Sequence, residues 1–555
     1  MKKLLLILLL GITISAQIEN VPIDHGVYTF LKEMEIKKII YGIDEDVPNL
    51  RFGEVREFLE KIEARKNELS TTEMKLFEKY RIEFYPDEIN DNNTWNLFGS
   101  SPNIFTSPFS LFDDKQKYLY TYKDGDNNLF VEMMGTFNYG HRIKPSVNNS
   151  ELYDIGFRFR GTLFSKLGYN LTIVKGGVSG NKDFSAILDP RLNYNFKFIE
   201  DIENIINYDF VEGYLQYNVQ PKDNMDITVQ LGREKFTFGY GYNSKLAISG
   251  DHPMMDFFKF NIKYGFVNFT SIHASTVGDF DFDRTKLYTK YIAMNRLKLS
   301  FPDFMDFGIG EMIVYSDRGI DLAYFNPLLF YKFAEMSLQD RDNGLLFLDA
   351  KTNFIKNLEF HGTFFLDENL LGHLQHLSRF SNKTGYQLGA MWYQPLGLCD
   401  LSLFAEYTKI RPYTYSHTNN KNTFTAFDQI LGHRIGPNAD EIFIKVAYNF
   451  NEWIRPSISY SYGRSGNNIV GENGILIKNV GGDVFQPYRD GVDPFDAPFL
   501  DGNRVNTTEI IANLKIEPFR DIIFDISYNF IYQDHVTEKF SENLSYAQLI
   551  MRLQF

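Results

Sequence analysis

From about residue 118 onward, apolar and polar side chains alternate with a period of two. Ile522, Phe524, Ile526, Tyr528, Phe530 and Tyr532 interleave with Ile523, Asp525, Ser527, Asn529, Ile531 and Gln533. Successive residues of a strand point to opposite faces, so this run predicts one apolar face and one largely polar face. Ile442, Ile444, Val446, Tyr448 and Phe450 do the same opposite Lys445, Ala447, Asn449 and Asn451. Ile454, Ile458, Tyr460 and Tyr462 alternate with Arg455, Ser457, Ser459 and Ser461, and Leu401, Leu403, Ala405 and Tyr407 with Ser402, Glu406 and Thr408. The pattern predicts 18 strands, at 128–141, 152–164, 167–178, 209–219, 225–232, 257–264, 266–277, 287–301, 307–316, 345–355, 357–367, 384–394, 398–411, 441–451, 453–465, 508–517, 520–534 and 545–555. Between them, short connections (Ser165-Lys166, Gln220 to Asn224, Pro302 to Asp306, Pro395 to Gly397, Pro518-Phe519) alternate with long ones (179–208, 233–256, 317–344, 412–440, 466–507). Short periplasmic turns and long outer loops are the signature of a transmembrane antiparallel β-barrel, with alternate residues facing lipid. An outward first strand and an even count return Phe555 to the periplasm. A soluble two-sheet sandwich needs no such parity.

Upstream the period changes to 3.6. Asp24 is placed to cap a helix with Val27, Phe30, Leu31 and Met34 on one face, and Phe52, Val55, Phe58, Leu59 and Ile62 share the face of a second. A third opens with Ser70-Thr71-Thr72-Glu73, where Ser70 and Glu73 can satisfy each other's free backbone donors. Met74, Phe77, Tyr80 and Phe84 line that helix, and Pro86 stops it. Residues 17–95 therefore read as a small periplasmic helical domain, 96–117 as a linker and 118–555 as the barrel. Lys2 and Lys3, the apolar Leu4 to Ile14, and the small Ser15 and Ala16 read as a signal peptide, 1–16, cleaved before Gln17.

Composition sharpens this picture. After residue 16 no apolar run reaches the ~18 residues a spanning helix needs. Aromatics make up 16% of the chain, with 52 Phe and 34 Tyr against 3 Trp, as a lipid-facing band and interfacial girdles require. A net charge of −14 argues against nucleic acid as a partner, because phosphate binding needs Lys and Arg clusters. Cys399 is the single cysteine, so the chain has no disulfide framework, no Cys-rich metal site and no lipidation cysteine in the leader.

No motif for a nucleophile, zinc protease or phosphate loop occurs, and the chain reads as non-enzymatic, with no cofactor. His373 and His376 lie in a loop without a ligand set and read as solvated histidines. Two acidic loops, Asp279-Asp281-Asp283 and Asp490-Asp493-Asp496-Asp501, carry oxygen ligands of the kind that suits Ca²⁺, without a full cation-loop spacing. Within Tyr488 to Asn503, Tyr488, Arg489, Phe495, Asp496, Phe499 and Asn503 mix rings with polar groups. Sugars stack on such rings while the polar groups take their hydroxyls; equally, the rings can form the core of a loop folded over the barrel mouth.

Several stretches resemble the Wzi family of capsule-assembly outer-membrane proteins. They are Gln230-Leu231-Gly232-Arg233 with Phe238-Gly239-Tyr240-Gly241 and Leu246 to Ser249; Glu311 to Tyr315 with Arg318-Gly319-Ile320-Asp321, Tyr324-Phe325-Asn326-Pro327, Phe330 and Tyr331; Asp342-Asn343 with Asp349; and Leu431-Gly432-His433-Arg434-Ile435-Gly436-Pro437-Asn438-Ala439-Asp440-Glu441. The resemblance spans nearly the whole mature chain. It implies an 18-stranded barrel with a periplasmic helical bundle and an outer mouth closed by loops. It also implies a lectin-like role, anchoring capsular or surface polysaccharide on a Gram-negative outer membrane. The motif residues carry no assigned sugar contacts, and Gly and Asn-Pro are turn formers first. Val21-Pro22, His25, Tyr28, Leu31, Ile39-Ile40-Tyr41-Gly42 and Arg51 to Glu54 resemble one degenerate S-layer-homology repeat, which implies peptidoglycan or another wall polymer as a partner. The last strand, with Ala547, Leu549, Met551, Leu553 and Phe555 on one face, resembles the signal read by the barrel assembly machinery. The rival reading is an outer-membrane porin or solute channel: porins have a similar strand number, and some carry S-layer-like N-terminal domains.

Overall fold

Eighteen antiparallel strands hydrogen-bond in chain order, and the last pairs with the first to close a barrel. The computed structural model describes residues 17–47, 49–85, 94–98, 105–199, 206–278, 287–339, 341–367 and 378–555; the expected leader lies outside them. The strands are β1 (Asn127–Lys144), β2 (Asn148–Leu163), β3 (Leu167–Gly180), β4 (Asn207–Lys222), β5 (Met225–Glu234), β6 (Met255–Tyr264), β7 (Val267–Val277), β8 (Thr289–Ser300), β9 (Met305–Ser316), β10 (Asn343–Thr352), β11 (Leu358–Asp367), β12 (Lys383–Tyr393), β13 (Leu401–Ile410), β14 (Ala439–Tyr448), β15 (Ile454–Asn467), β16 (Asn503–Phe519), β17 (Ile522–His535) and β18 (Phe540–Gln554). Every strand expected from the alternation is present. β16 and β18 begin about five residues before their expected starts. Their outer ends, such as Ser541-Glu542-Asn543, are polar on both faces and carry no apolar alternation.

The alternation sorts as expected. Ile442, Ile444, Ile458, Ile526 and Tyr528 are exposed on the outer wall, while Lys351, Glu359, Glu406 and Asn529 are buried inside. At the seam, Ser545 to Gln554 pairs with Lys144 to Met134, and Phe555 exchanges backbone hydrogen bonds with Met133. The Phe555 ring is buried with Trp95, Leu97 and Ile522. Tyr120–Asp124 prolongs that seam against the start of β1, within the expected barrel segment. Among the described residues, no helix is long and apolar enough to cross a membrane.

Three N-terminal helices, α1 (Gly26–Ile36), α2 (Phe52–Glu63) and α3 (Thr71–Phe84), follow the predicted faces. Val27, Phe30, Leu31, Met34, Val55, Leu59, Ile62, Phe77 and Phe84 make their shared core. The cap of α1 is His25, one residue after the expected Asp24; its Nδ1 accepts from the Val27 amide at 3.2 Å. The Ser70–Glu73 capping box of α3 forms as expected.

These helices do not stand apart from the barrel. They sit inside its short-turn end, and their core includes Met391 and Tyr393 of β12. Ion pairs fasten them to the polar inner wall: Glu35 to Lys351 (3.0 Å), Arg51 to Asp226 (2.7 Å), Glu33 to Arg455 (3.0 Å) and Glu19 to Arg160 (3.3 Å). Asp46 pairs with Arg296 and Lys298. Glu73 is wholly buried: besides capping α3, it takes hydrogen bonds from Lys37 (2.6 Å) and Tyr393 (2.8 Å).

The other end of the lumen is filled from the loops. Segment 235–254 turns inward, and its Gly239 amide reaches the Asp46 carbonyl (2.8 Å). Gly239 has a φ of +93°, a region that favours glycine. At Gly241 a Cβ would meet the Ser244 carbonyl at 2.2 Å. Phe238, Leu246 and Ile248 pack against Phe257, Met294, Phe347 and Phe365 of the wall and against Tyr415, Phe424 and Leu431 of loop 411–438. The wall of β6–β11 is therefore apolar on its inner face in the outer half, which explains unbroken apolar runs such as Met312–Tyr315.

Candidate functional site

Four long-loop segments converge at the outer rim, and the family-motif residues hold them in place. Arg318 forms a two-pronged pair with Asp342 (2.9 and 2.6 Å) and covers the Tyr315 ring. Tyr324 donates to the same Asp342 (2.8 Å), and Asp321 caps the turn that carries Tyr324. Asn326 caps the following turn at Leu328 (3.1 Å), and the Pro327 carbonyl accepts from Asn295 (3.5 Å). Asn343, fully buried, donates to the Asn422 carbonyl (2.9 Å).

In the His433–Asp440 motif, Asn438 is the tie. Its side chain donates to the carbonyls of Gly466 (2.7 Å) and Asp501 (3.2 Å) and accepts from the Leu500 amide (2.7 Å). It adopts a φ of +54°, and Gly436 one of +68°. His433 is wholly buried; burial, reinforced by the neighbouring Arg434 cation, pushes its pKa down to about 3, so the ring is neutral. Asp440 is held in a two-pronged pair by Arg464 on the outer wall, and Arg233 pairs there with Asp256 (2.6 and 2.7 Å). These pairs lie at the loop end of the strands, above the apolar band. At Gly232 a Cβ would strike Tyr214. The motifs thus build and join loops, and none of these residues forms a common pocket.

The stretch Tyr488 to Asn503 behaves differently. Tyr488 stacks flat on Phe380 (centroids 3.4 Å apart, planes within 4°), Tyr413 meets Tyr488 edge-on at 6.0 Å, and Phe495 lies 5.9 Å from Phe380. Phe495 is 64% exposed. The Phe380 amide donates to the Phe495 carbonyl (2.9 Å), and Ser378 donates to Asp496 (2.8 Å), so two loops knit into one surface. Arg489 pairs with Asp493 (2.6 Å) and keeps part of its guanidinium exposed. Burial opposes ionisation of Asp493, but the hydrogen bonds from Arg489 and Asn479 outweigh it and hold the carboxyl below its usual range. Tyr488 is half-buried and packs within the loops, while Phe495 faces solvent. Phe380, which completes the platform, carried no signal in its own sequence context.

Two expected members lie elsewhere. Phe499 packs under the Lys409 ammonium (4.1 Å) at the outer wall, and Asn503 donates to Glu538 (3.0 Å) at the start of β16. The acids Asp490-Asp493-Asp496-Asp501 do not converge: Asp493 faces Arg489 and Asp501 faces Lys478 (2.7 Å). Asp279, Asp281, Asp283, His373 and His376 lie outside the described residues. Among the described residues, three carboxylates approach one another only at Glu35, Glu45 and Glu359, and there Lys32 and Lys351 take the charge. The polar groups of the S-layer-like stretch, Arg51 and Glu54, are spent on Asp226 and Lys263 of the wall.

The lumen itself is occupied. Two cavities of about 330 Å³ remain beside the helices, one lined by Arg158, Lys445, Lys515 and Glu517, the other by Arg191, Glu212 and Lys235.

No family model matches the chain, and no curated protein matches it. Among solved structures it is similar to Wzi of Escherichia coli, an outer membrane protein involved in group 1 capsule assembly and described as a carbohydrate-binding β-barrel. The TM-score is 0.57 at 12% identity, over 97% of this chain and 99% of that one. The fold is that of an outer-membrane β-barrel. Similarity to OprD of Pseudomonas aeruginosa is looser, with a TM-score of 0.43 at 9% identity over 77% of this chain and 95% of that one.

Proposed function

We propose that this protein binds or anchors surface polysaccharide at the outer membrane, without catalysis, through its loop-borne aromatic platform. The observation that carries the reading is the exposed Phe495 ring, braced by the Phe380–Tyr488 stack, with Asp496 next in the chain and the Arg489–Asp493 pair on the same loop. An exposed ring on a loop that also carries a guanidinium and carboxylates offers one face for a sugar ring and hydrogen-bonding partners for its hydroxyls. The resemblance to Wzi, a carbohydrate-binding β-barrel, supports this reading, in which we put the helices on the periplasmic side and the platform outside the cell.

The test pairs two measurements. Gene deletion should lower surface-retained polysaccharide, and Phe495→Ala with Arg489→Ala should reproduce that loss while the barrel reaches the membrane in normal amount. Unchanged retention in both strains refutes the proposal. The channel reading makes the opposite demand of the purified protein in a planar bilayer: a large, stable conductance. The occupied lumen favours a silent barrel.

A further inference from the structure

The clearest family-like stretch is absorbed by neither the lumen nor the platform. Segment 317–339 leaves β9 at the loop end and folds back down the outside of the barrel. It carries two short helices, α4 (Leu322–Phe325) and α5 (Tyr331–Ser337). Its inner side is matched to a polar patch on the outer wall. Glu311 of β9 accepts from the Tyr331 amide (2.8 Å), and Tyr331 donates to Asn295 of β8 (3.1 Å). His273 of β7 bonds Tyr315 (2.8 Å), which in turn accepts from the Asp321 amide (3.1 Å). Tyr324 and Tyr331 bury their rings against Ala293, Ile313 and Tyr315. At Gly344 of β10 the approach is so close that a Cβ would lie 2.9 Å from Glu335.

These polar wall residues share the outer face with the lipid-facing Leu297, Phe307 and Ile309, and Glu311 comes two positions after Ile309. Without the segment, Glu311 and Asn295 would keep only each other (3.3 Å) and would turn a carboxylate and an amide toward acyl chains with their remaining hydrogen bonds unmade, which an apolar medium penalises heavily. The segment's other side is apolar and open. Leu328 is 89% exposed, Leu322 78% and Phe333 69%, and Leu322 to Phe330 contains no charged residue. Phe325 meets Phe258 of β6 at 5.3 Å, which makes this side continuous with the apolar wall below. Arg318 pairs with Asp342 at the loop end, where the segment leaves β9. An open apolar surface of this kind marks a contact site, and its continuity with the lipid-facing band selects the occupant.

We infer that residues 317–339 form an amphipathic strap lying in the outer leaflet, with Leu322, Leu328 and Phe333 immersed among lipid acyl chains. The strap widens the barrel's lipid contact on one side and fixes the depth of the loops above it. It belongs to the membrane, whereas the platform around Phe495 faces outward.

The test uses the full chain with Cys399→Ser and a single cysteine at Leu328→Cys or Phe333→Cys, nitroxide-labelled and reconstituted in phosphatidylethanolamine–phosphatidylglycerol vesicles. Both positions are exposed, so the label need not disturb packing, and circular dichroism checks the barrel in each variant. Power-saturation EPR should show oxygen accessibility several-fold above that of a water-soluble nickel chelate, as at a wall reference, Leu297→Cys. A label at Val470→Cys, in an exposed outer hairpin, should show the reverse. Strap labels that behave like the one at 470 overturn the inference. So does strong dipolar broadening between labels, which would assign the surface to a second copy of the chain.

Discussion

The N-terminal helices hold their place in the lumen largely through buried charge pairs, and Asp46→Ala tests this. Asp46 is 1% exposed and accepts from Lys298 (2.8 Å) and Arg296, while Arg296 also binds Asp349 (2.7 Å). Removing the carboxylate leaves two buried cations sharing Asp44 and Asp349 in the docked state only, since in an undocked state the wall cations are hydrated. Breaking one partner of a buried pair costs about 3–5 kcal/mol. With each 1.4 kcal/mol worth a factor of ten, transient undocking should rise roughly 10²- to several times 10³-fold. Hydrogen exchange by mass spectrometry on reconstituted protein reads such rare openings. Peptides covering α1 and α2 should exchange faster by about that factor, while β16 and β17 stay protected. Lys75→Ala is the control: its partner Glu452 lies at 3.3 Å and Lys75 is half exposed, so the pair is worth about 0–1 kcal/mol and exchange should rise less than about fivefold. Acceleration of the helices by less than tenfold in Asp46→Ala, or equal effects of the two variants, refutes the reasoning.

Other expectations follow from the loops and the seam. His433 is held neutral in the fold, with a pKa near 3 against about 6.5 when solvated. Its contribution is therefore complete above pH ~6.5 and is lost as pH falls toward 3; oxidative footprinting at pH 4.5 should reach the buried Tyr415 and Phe424 more than at pH 7.5, and His433→Gln should shrink the difference. Asn438→Ala strands the Leu500 amide and two carbonyls at a cost of about 1–3 kcal/mol, so trypsin should cut faster after Lys478 and Arg489; an unchanged cutting rate counts against the tie. Deleting Phe555 removes its backbone pair with Met133 and its ring from the Trp95 cluster, and the folded barrel recovered from membranes should fall several-fold, an expectation that equal recovery would overturn.

The strands were legible because lipid reads one residue in two. Ile442 and Ile444 must be apolar and Lys445 need not be, whatever the rest of the chain does, so the period survives in local sequence. The helices were legible for the same reason at another period. A local pattern, however, says which face is buried and not against what. Val55 and Leu59 announce a helix, but only the tertiary structure places it in the lumen. That placement depends on pairings such as Glu35 with Lys351, 316 residues apart. The platform has the same character. Tyr488 and Phe495 stand out in the sequence, whereas Phe380 gains its role only by lying beneath Tyr488. Glu311 and Asn295 break the apolar face at positions where lipid should forbid them, and only the returning strap explains them. The sequence by itself determined the barrel, its strand number, its helices and the capping box of α3, because burial in lipid or core is written residue by residue. The tertiary structure alone decided what fills the lumen, what covers the wall and which ring is left open, because those depend on charges and surfaces brought together from distant segments.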